Sequence, residues 1–142
     1  MPSPGLSARV TRARRSIERL KKVAEVPWEE YSRNEDLRTL AERHLHIVLE
    51  CILDLASFIA SRLGLARSPT YRSIVRALIE AKIIPRELER IALAVPGMRN
   101  ILVHGYAEVR HDIVYKTIAE ELDKLVKILD TLWRQAEELD PP

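Results

Sequence analysis

The chain has 142 residues, 46% of them hydrophobic and 31% charged, with a formal net charge of +2. That length suits one domain with a single core and is too short for two. Phe, Gly and Asn are scarce whereas Leu, Ile, Ala, Arg and Glu dominate, a mixture that favours helix over strand.

Further classes fall away on residue counts. No apolar run approaches the ~20 residues of a membrane span, and the N-terminus lacks a signal-peptide core, so a cytoplasmic protein without membrane association is expected. Cys51 is the only cysteine, which excludes an intrachain disulfide and reads as a small buried hydrophobe. Side-chain amides are confined to Asn34, Asn100 and Gln135, a depletion that points to a thermophilic source. Charge is uneven along the chain. Arg9, Arg12, Arg14, Arg15, Arg19, Lys21 and Lys22 face only Glu18 near the N-terminus, whereas residues 112–142 hold eight acids against four bases. A basic first helix can meet nucleic-acid phosphates, or simply face the acidic last one.

Five helical segments are expected in one domain spanning residues 1–142, with loose ends at about 1–6 and 139–142. The first runs from Ser7 to Val23 and stops before Pro27. The second is the longest: Asn34 suits its N-cap, Glu35 and Asp36 its positive end, and Gly64 its C-terminus. Leu37, Leu40, Leu45, Val48, Ile52, Leu55 and Ile59 keep a helical period there, and Ile47, Cys51, Phe58 and Leu63 widen the stripe until a core and a partner chain are both needed to cover it. Ser68-Pro69 opens a third helix with Ile74, Val75, Leu78 and Ile79 inward. Pro85 starts a fourth carrying Leu88, Ile91, Ala92 and Val95, and Pro96-Gly97 is expected to interrupt or kink it before a short piece from Met98 to His104, capped by Gly105. Asp112 begins the last, with Ile113, Ile118, Leu122, Leu125, Ile128, Leu129 and Leu132 inward. The result is an all-α antiparallel bundle of four to five helices, dimerising through long helices.

Chemistry concentrates in Arg99-Asn-Ile-Leu-Val-His104-Gly-Tyr106. Asn100 and His104 are four apart and share a helix face, whereas Arg99 lies about 140° around and ~7.5 Å along the axis from His104. A guanidinium fork binds phosphate oxygens and an imidazole exchanges protons, a pairing suited to phosphodiester chemistry. With RNA the 2′-hydroxyl is a built-in nucleophile, so no metal or cofactor is implied. One His cannot be acid and base in the same step, but two copies across a twofold axis can supply one of each. An Arg and a His near a helix end can equally be a surface cation and a capping side chain.

In the second helix, His46, Glu50, Asp54, Ser57 and Ser61 form a polar seam, from which Asp54 or Glu50 can hold Arg99; Asp54 is the preferred one. A hydrated strip between apolar surfaces is the plain alternative. His44 and His46 point roughly 200° apart on a helix, and the four histidines have no ligand spacing, which argues against zinc. Tyr71, Tyr115, Trp28 and Trp133 are scattered, as core or rim anchors are.

The stretch Met98 to Tyr106, following an apolar helix that ends in Leu63-Gly-Leu65, resembles the HEPN domain family. More narrowly it is similar to HepT-type toxins, whose signature is Arg, four residues, His, one residue, Tyr. The resemblance extends through Arg43-His-Leu-His-Ile-Val-Leu-Glu-Cys-Ile-Leu-Asp54, Ser68-Pro-Thr-Tyr-Arg72 and Ile84-Pro85, and covers residues 7 to 135. It implies a homodimeric, metal-independent endoribonuclease toxin with paired Arg–His sites at the dimer cleft, and a nucleotidyltransferase (MNT-type) antitoxin as partner. Residue by residue, Arg99 would bind the scissile phosphate, His104 would be the acid–base group, Asn100 would orient either, and Tyr106 would be the tyrosine that the antitoxin modifies with AMP. Two other functions fit a bundle of this kind: a non-catalytic module that binds nucleotides or docks the nucleotidyltransferase, and a helical adaptor for some other protein.

Overall fold

The computed structural model describes residues 4–65, 70–104 and 109–140. Helix α1 (Pro4–Ala24) is followed by α2 (Trp28–Arg33), the long α3 (Glu35–Leu63), α4 (Tyr71–Glu80) and α5 (Glu89–His104), which a 3₁₀ turn at Arg86–Leu88 introduces. Then come α6 (His111–Lys116), a π-helical segment over Thr117–Glu121, and α7 (Leu122–Leu139). The described residues contain no strand, as expected of an all-α bundle.

Helix α3 starts and stops where its caps dictate. The Asn34 side-chain oxygen accepts from the Leu37 amide at 3.0 Å, satisfying a donor that the first turn leaves open. At the other end Gly64 takes a left-handed φ of 63°, which a residue with a Cβ adopts at a cost. Between the caps, Leu45, Leu49, Leu53, Leu55, Ala56 and Ile59 are wholly buried, on more than one side of the helix. The covering comes from within the chain: α1, α4, α5 and α7 all pack on α3. Leu40 and Leu63 of the same stripe stay 38% and 39% exposed. By length and composition α3 is apolar enough to cross a membrane, contrary to the sequence expectation, with a window of mean hydropathy 1.5. More than half of that window is buried inside the bundle, the burial of a core helix.

The other helices depart from expectation in instructive ways. α1 begins at Pro4 and buries Leu6, and α7 runs to Leu139, so both elements reach into the ends expected to be loose. α2, absent from the sequence reading, buries Tyr31 against Trp28 and Tyr115, whose ring centroids lie 6.0 and 4.9 Å from its own. Of the interruption or kink expected at Pro96, the interruption does not occur: α5 is continuous through Pro96-Gly97. Proline forfeits one helical hydrogen bond, but Pro96 is buried with Val95 and Ala92, and that packing carries the helix past it. In the last helical stretch the π turn rephases the inner face, so Val114 is buried and Ile113 is 38% exposed. The Thr117 hydroxyl donates to the Ile113 carbonyl there at 2.8 Å. The opener of α4 at Ser68-Pro69 lies outside the described residues; Thr70 caps that helix, accepting from the Ser73 amide at 3.2 Å.

Burial holds this bundle together. Each buried Leu or Ile contributes roughly 1.5–3 kcal/mol. An exposed ion pair such as Arg14–Asp130, which ties basic α1 to acidic α7 at 2.7 Å, contributes about 0–1 kcal/mol.

Candidate active site

Arg99 sits in the second half of α5 and reaches back to α3. Its Nε donates to Glu50 Oε2 at 2.8 Å and its Nη2 to Glu50 Oε1 at 3.3 Å, a two-point ion pair. Nη1 donates to the Asn100 side-chain oxygen at 3.1 Å. The guanidinium also lies over the Tyr71 ring, 5.6 Å from its centroid. Three of five N–H groups are thereby committed, leaving two for an incoming oxygen acceptor. Arg99 retains 22% of its side-chain exposure, so the fork is fixed but reachable.

Of the two acids weighed for Arg99, Glu50 receives it. Asp54, the preferred choice, instead accepts from Arg9 of α1 at 3.2 Å. The two acids lie one turn apart on one stripe of α3, yet their environments pull them in opposite directions. The hydrogen bond from Arg99 holds the Glu50 carboxyl below its ordinary value, outweighing partial burial. Burial pushes Asp54 up, against the pull of Arg9 and with help from the Glu50 charge. His46 completes this stripe, its Nε2 3.5 Å from Glu50 Oε2. His44 points elsewhere, its Nδ1 sharing a 2.9 Å hydrogen bond with the buried Ser16 hydroxyl, as expected for residues two apart on a helix. Burial pushes the Cys51 thiol up to about 12, which leaves it a core side chain and not a thiolate.

His104 is the last residue of α5 and is exposed. Among the described residues no hydrogen bond joins it to Arg99, or to Asn100, which Arg99 has engaged. The Arg99 guanidinium turns toward α3, and His104 stands at the end of α5. Ile101, between them in sequence, is 42% exposed. Gly105 and Tyr106 lie outside the described residues. Sequence reading missed Tyr71 as a support for Arg99. Twenty-eight residues separate them, and only the packing of α4 on α5 brings them together.

Comparison with known proteins identifies the family and the fold. A family model described as Ribonuclease HepT-like matches residues 13–132. The tRNA nuclease HepT of Aphanizomenon flos-aquae is 26% identical over 110 residues, which cover 78% of this chain and 75% of that protein. Among solved structures, the tri-AMPylated Shewanella oneidensis HEPN toxin in complex with MNT antitoxin superposes with a TM-score of 0.79 at 21% identity, covering 93% of this chain and 98% of that one. YutE of Bacillus subtilis, a cytosolic protein of unknown function, superposes with a TM-score of 0.74 at 16% identity, over 96% and 94% of the two chains. These likenesses establish the HEPN fold, and with a family model spanning residues 13–132 the chain belongs to the Ribonuclease HepT-like family.

Proposed function

We propose that this protein is the cytoplasmic toxin of a toxin–antitoxin pair, a homodimeric endoribonuclease that cleaves RNA without a metal through Arg99 and His104. The observation that carries the reading is the fixed Arg99 fork: two carboxylate oxygens and one amide oxygen set its plane, and two N–H groups remain free to meet a phosphate. His104, exposed one and a half turns further on, is the group that moves protons. In the reaction the 2′-oxygen attacks the neighbouring phosphorus and the P–O5′ bond breaks. One imidazole takes the 2′-hydroxyl proton and a second delivers a proton to the leaving 5′-oxygen, giving a 2′,3′-cyclic phosphate and a 5′-hydroxyl.

Two imidazoles require two chains. The exposed Ile101, between Arg99 and His104 in sequence, offers apolar surface for a second copy, so the site is completed across a twofold axis. Asn100 orients Arg99, and Asp54 supports the edge of the site by holding Arg9. The antitoxin is a nucleotidyltransferase of the MNT type, as in the Shewanella complex, and Tyr106 is the residue it modifies. Transfer of AMP from ATP to the phenol, with release of pyrophosphate, adds charge and bulk that repel RNA. tRNA is the substrate to try first, since the Aphanizomenon relative is a tRNA nuclease.

The test is incubation of wild type and His104→Ala with total RNA and with tRNA in EDTA. Wild type should leave cyclic phosphate ends, and His104→Ala should lose at least about 100-fold in rate with circular dichroism unchanged. Cleavage retained by His104→Ala, or none by folded, unmodified wild-type dimer, would sink the ribonuclease reading in favour of a module that docks the nucleotidyltransferase.

A further inference from the structure

Between α1 and α3 lies an open groove of about 300 Å³ whose polar lining is Arg9, Arg12, Arg43, His46, Glu50 and Asp54. Arg9 and Arg12 are three apart on α1. Arg43, His46, Glu50 and Asp54 follow one stripe of α3, so both walls turn charged side chains into the same space. The two acids are engaged: Asp54 accepts from Arg9 at 3.2 Å and Glu50 holds Arg99. Arg12 and Arg43 are exposed and make no ion pair with any described residue. With each carboxylate already matched by an arginine, two uncommitted guanidiniums remain at the rim. His44, beside Arg43, senses the same excess: after burial, the charges of Arg19, Arg43 and Arg12 hold its pKa down.

We propose that this groove binds a backbone phosphate of single-stranded RNA adjacent to the scissile one, with Arg12 and Arg43 as its ligands. The proposal rests on the ribonuclease reading and adds a subsite to it. Glu50 belongs both to the groove and to the ion pair that sets Arg99, so a strand whose scissile phosphate meets Arg99 passes directly onto the α1–α3 surface. Each further nucleotide brings one negative charge, and the planar fork of arginine pairs with two phosphate oxygens at once. The groove volume of about 300 Å³ accommodates one phosphate with its sugar.

Binding of a short fluorescent single-stranded RNA to His104→Ala protein, followed by anisotropy across a salt series, tests the subsite without cleavage. Arg12→Ala and Arg43→Ala, each placed in that background, should weaken binding and each reduce the slope of log K against log salt by about 0.7, the value for one single-strand phosphate contact. Both residues are exposed, so melting temperatures should not move. Arg86→Ala, before the far end of α5, should leave the slope unchanged. Unchanged slopes in both groove variants, an equal loss in Arg86→Ala, or no RNA binding at all would overturn the proposal. Parallel cleavage by wild type separates the two readings: cleavage with unaltered slopes removes the subsite alone, and altered slopes without cleavage remove the ribonuclease alone.

Discussion

In the first half of α5, Ile91, Ala92, Val95 and Pro96 are buried, in a helix that packs on α3, α4 and α7. In the second half Asn100, Ile101 and His104 are exposed, and Arg99 reaches back to the bundle through Glu50 and Tyr71. One helix therefore runs from a region anchored by burial into one where partly buried Met98 and Leu102 are joined by directed polar contacts. The first kind of attachment is strong and indifferent to orientation; the second is weak but fixes the plane of a guanidinium. Stability and chemistry are separated along a single axis, with Pro96 at the boundary.

The separation predicts which substitutions do what. The largest effect belongs to the buried half. Ile91→Ala removes a buried side chain and should cost about 2–4 kcal/mol in chemical denaturation. RNA cleavage per folded molecule should be retained. A fall in specific activity as large as the fall in stability would show that the halves are coupled and erase the contrast.

Glu50→Gln attacks the polar half and should behave in the opposite way. The pair it breaks is partly exposed, so stability at neutral pH should fall by no more than about 1 kcal/mol. Cleavage should drop roughly tenfold or more, in kcat more than in KM, because the fork loses its orientation for the transition state. The pH dependence has a definite sign. Arg99 lowers the folded pKa of Glu50 below its unbound value of 4.5, so the stability this pair gives is complete above that value. It is lost as pH falls through the lowered folded value. Thermal melts below pH 5 should show this acid limb in wild type and not in Glu50→Gln.

How much of this was readable in the sequence follows the same division. Elements set by local rules were legible: Asn34 and Gly64 bound α3 as their capping chemistry requires, and the apolar period of the long helices marks the core. Elements decided by tertiary packing were not. α2 is six residues long, too short for a period to declare itself, and exists because Tyr31 packs against Trp28 and Tyr115. Pro96 obeys its neighbours and not its propensity. At the site, the Arg99-x4-His104 spacing was visible, but the choice of Glu50 over Asp54 was not. Both acids share one stripe of α3, and the selection depends on where α1 delivers Arg9 and where α5 delivers Arg99.

That choice gives the finest test, since Asp54 and Glu50 should titrate with opposite consequences. Asp54 has its folded pKa raised above the ordinary 3.8, chiefly by burial, so its proton is bound more tightly in the folded state. The stability linked to it is therefore complete below the unfolded value and declines as pH rises through the folded one. At neutral pH the ionised carboxyl is a net cost, only partly offset by Arg9, whose side chain is 62% exposed. Asp54→Asn should leave neutral-pH stability within about 0.5 kcal/mol of wild type, unchanged or slightly higher. Wild type should gain stability relative to Glu50→Gln as pH climbs to about 4.5, and lose it relative to Asp54→Asn as pH climbs from about 4. Melting curves of the three proteins between pH 3 and pH 7 decide the matter. Two differences of the same sign would mean that the stripe responds to net charge alone, and that the separate partners of these two acids do not set their ionisation.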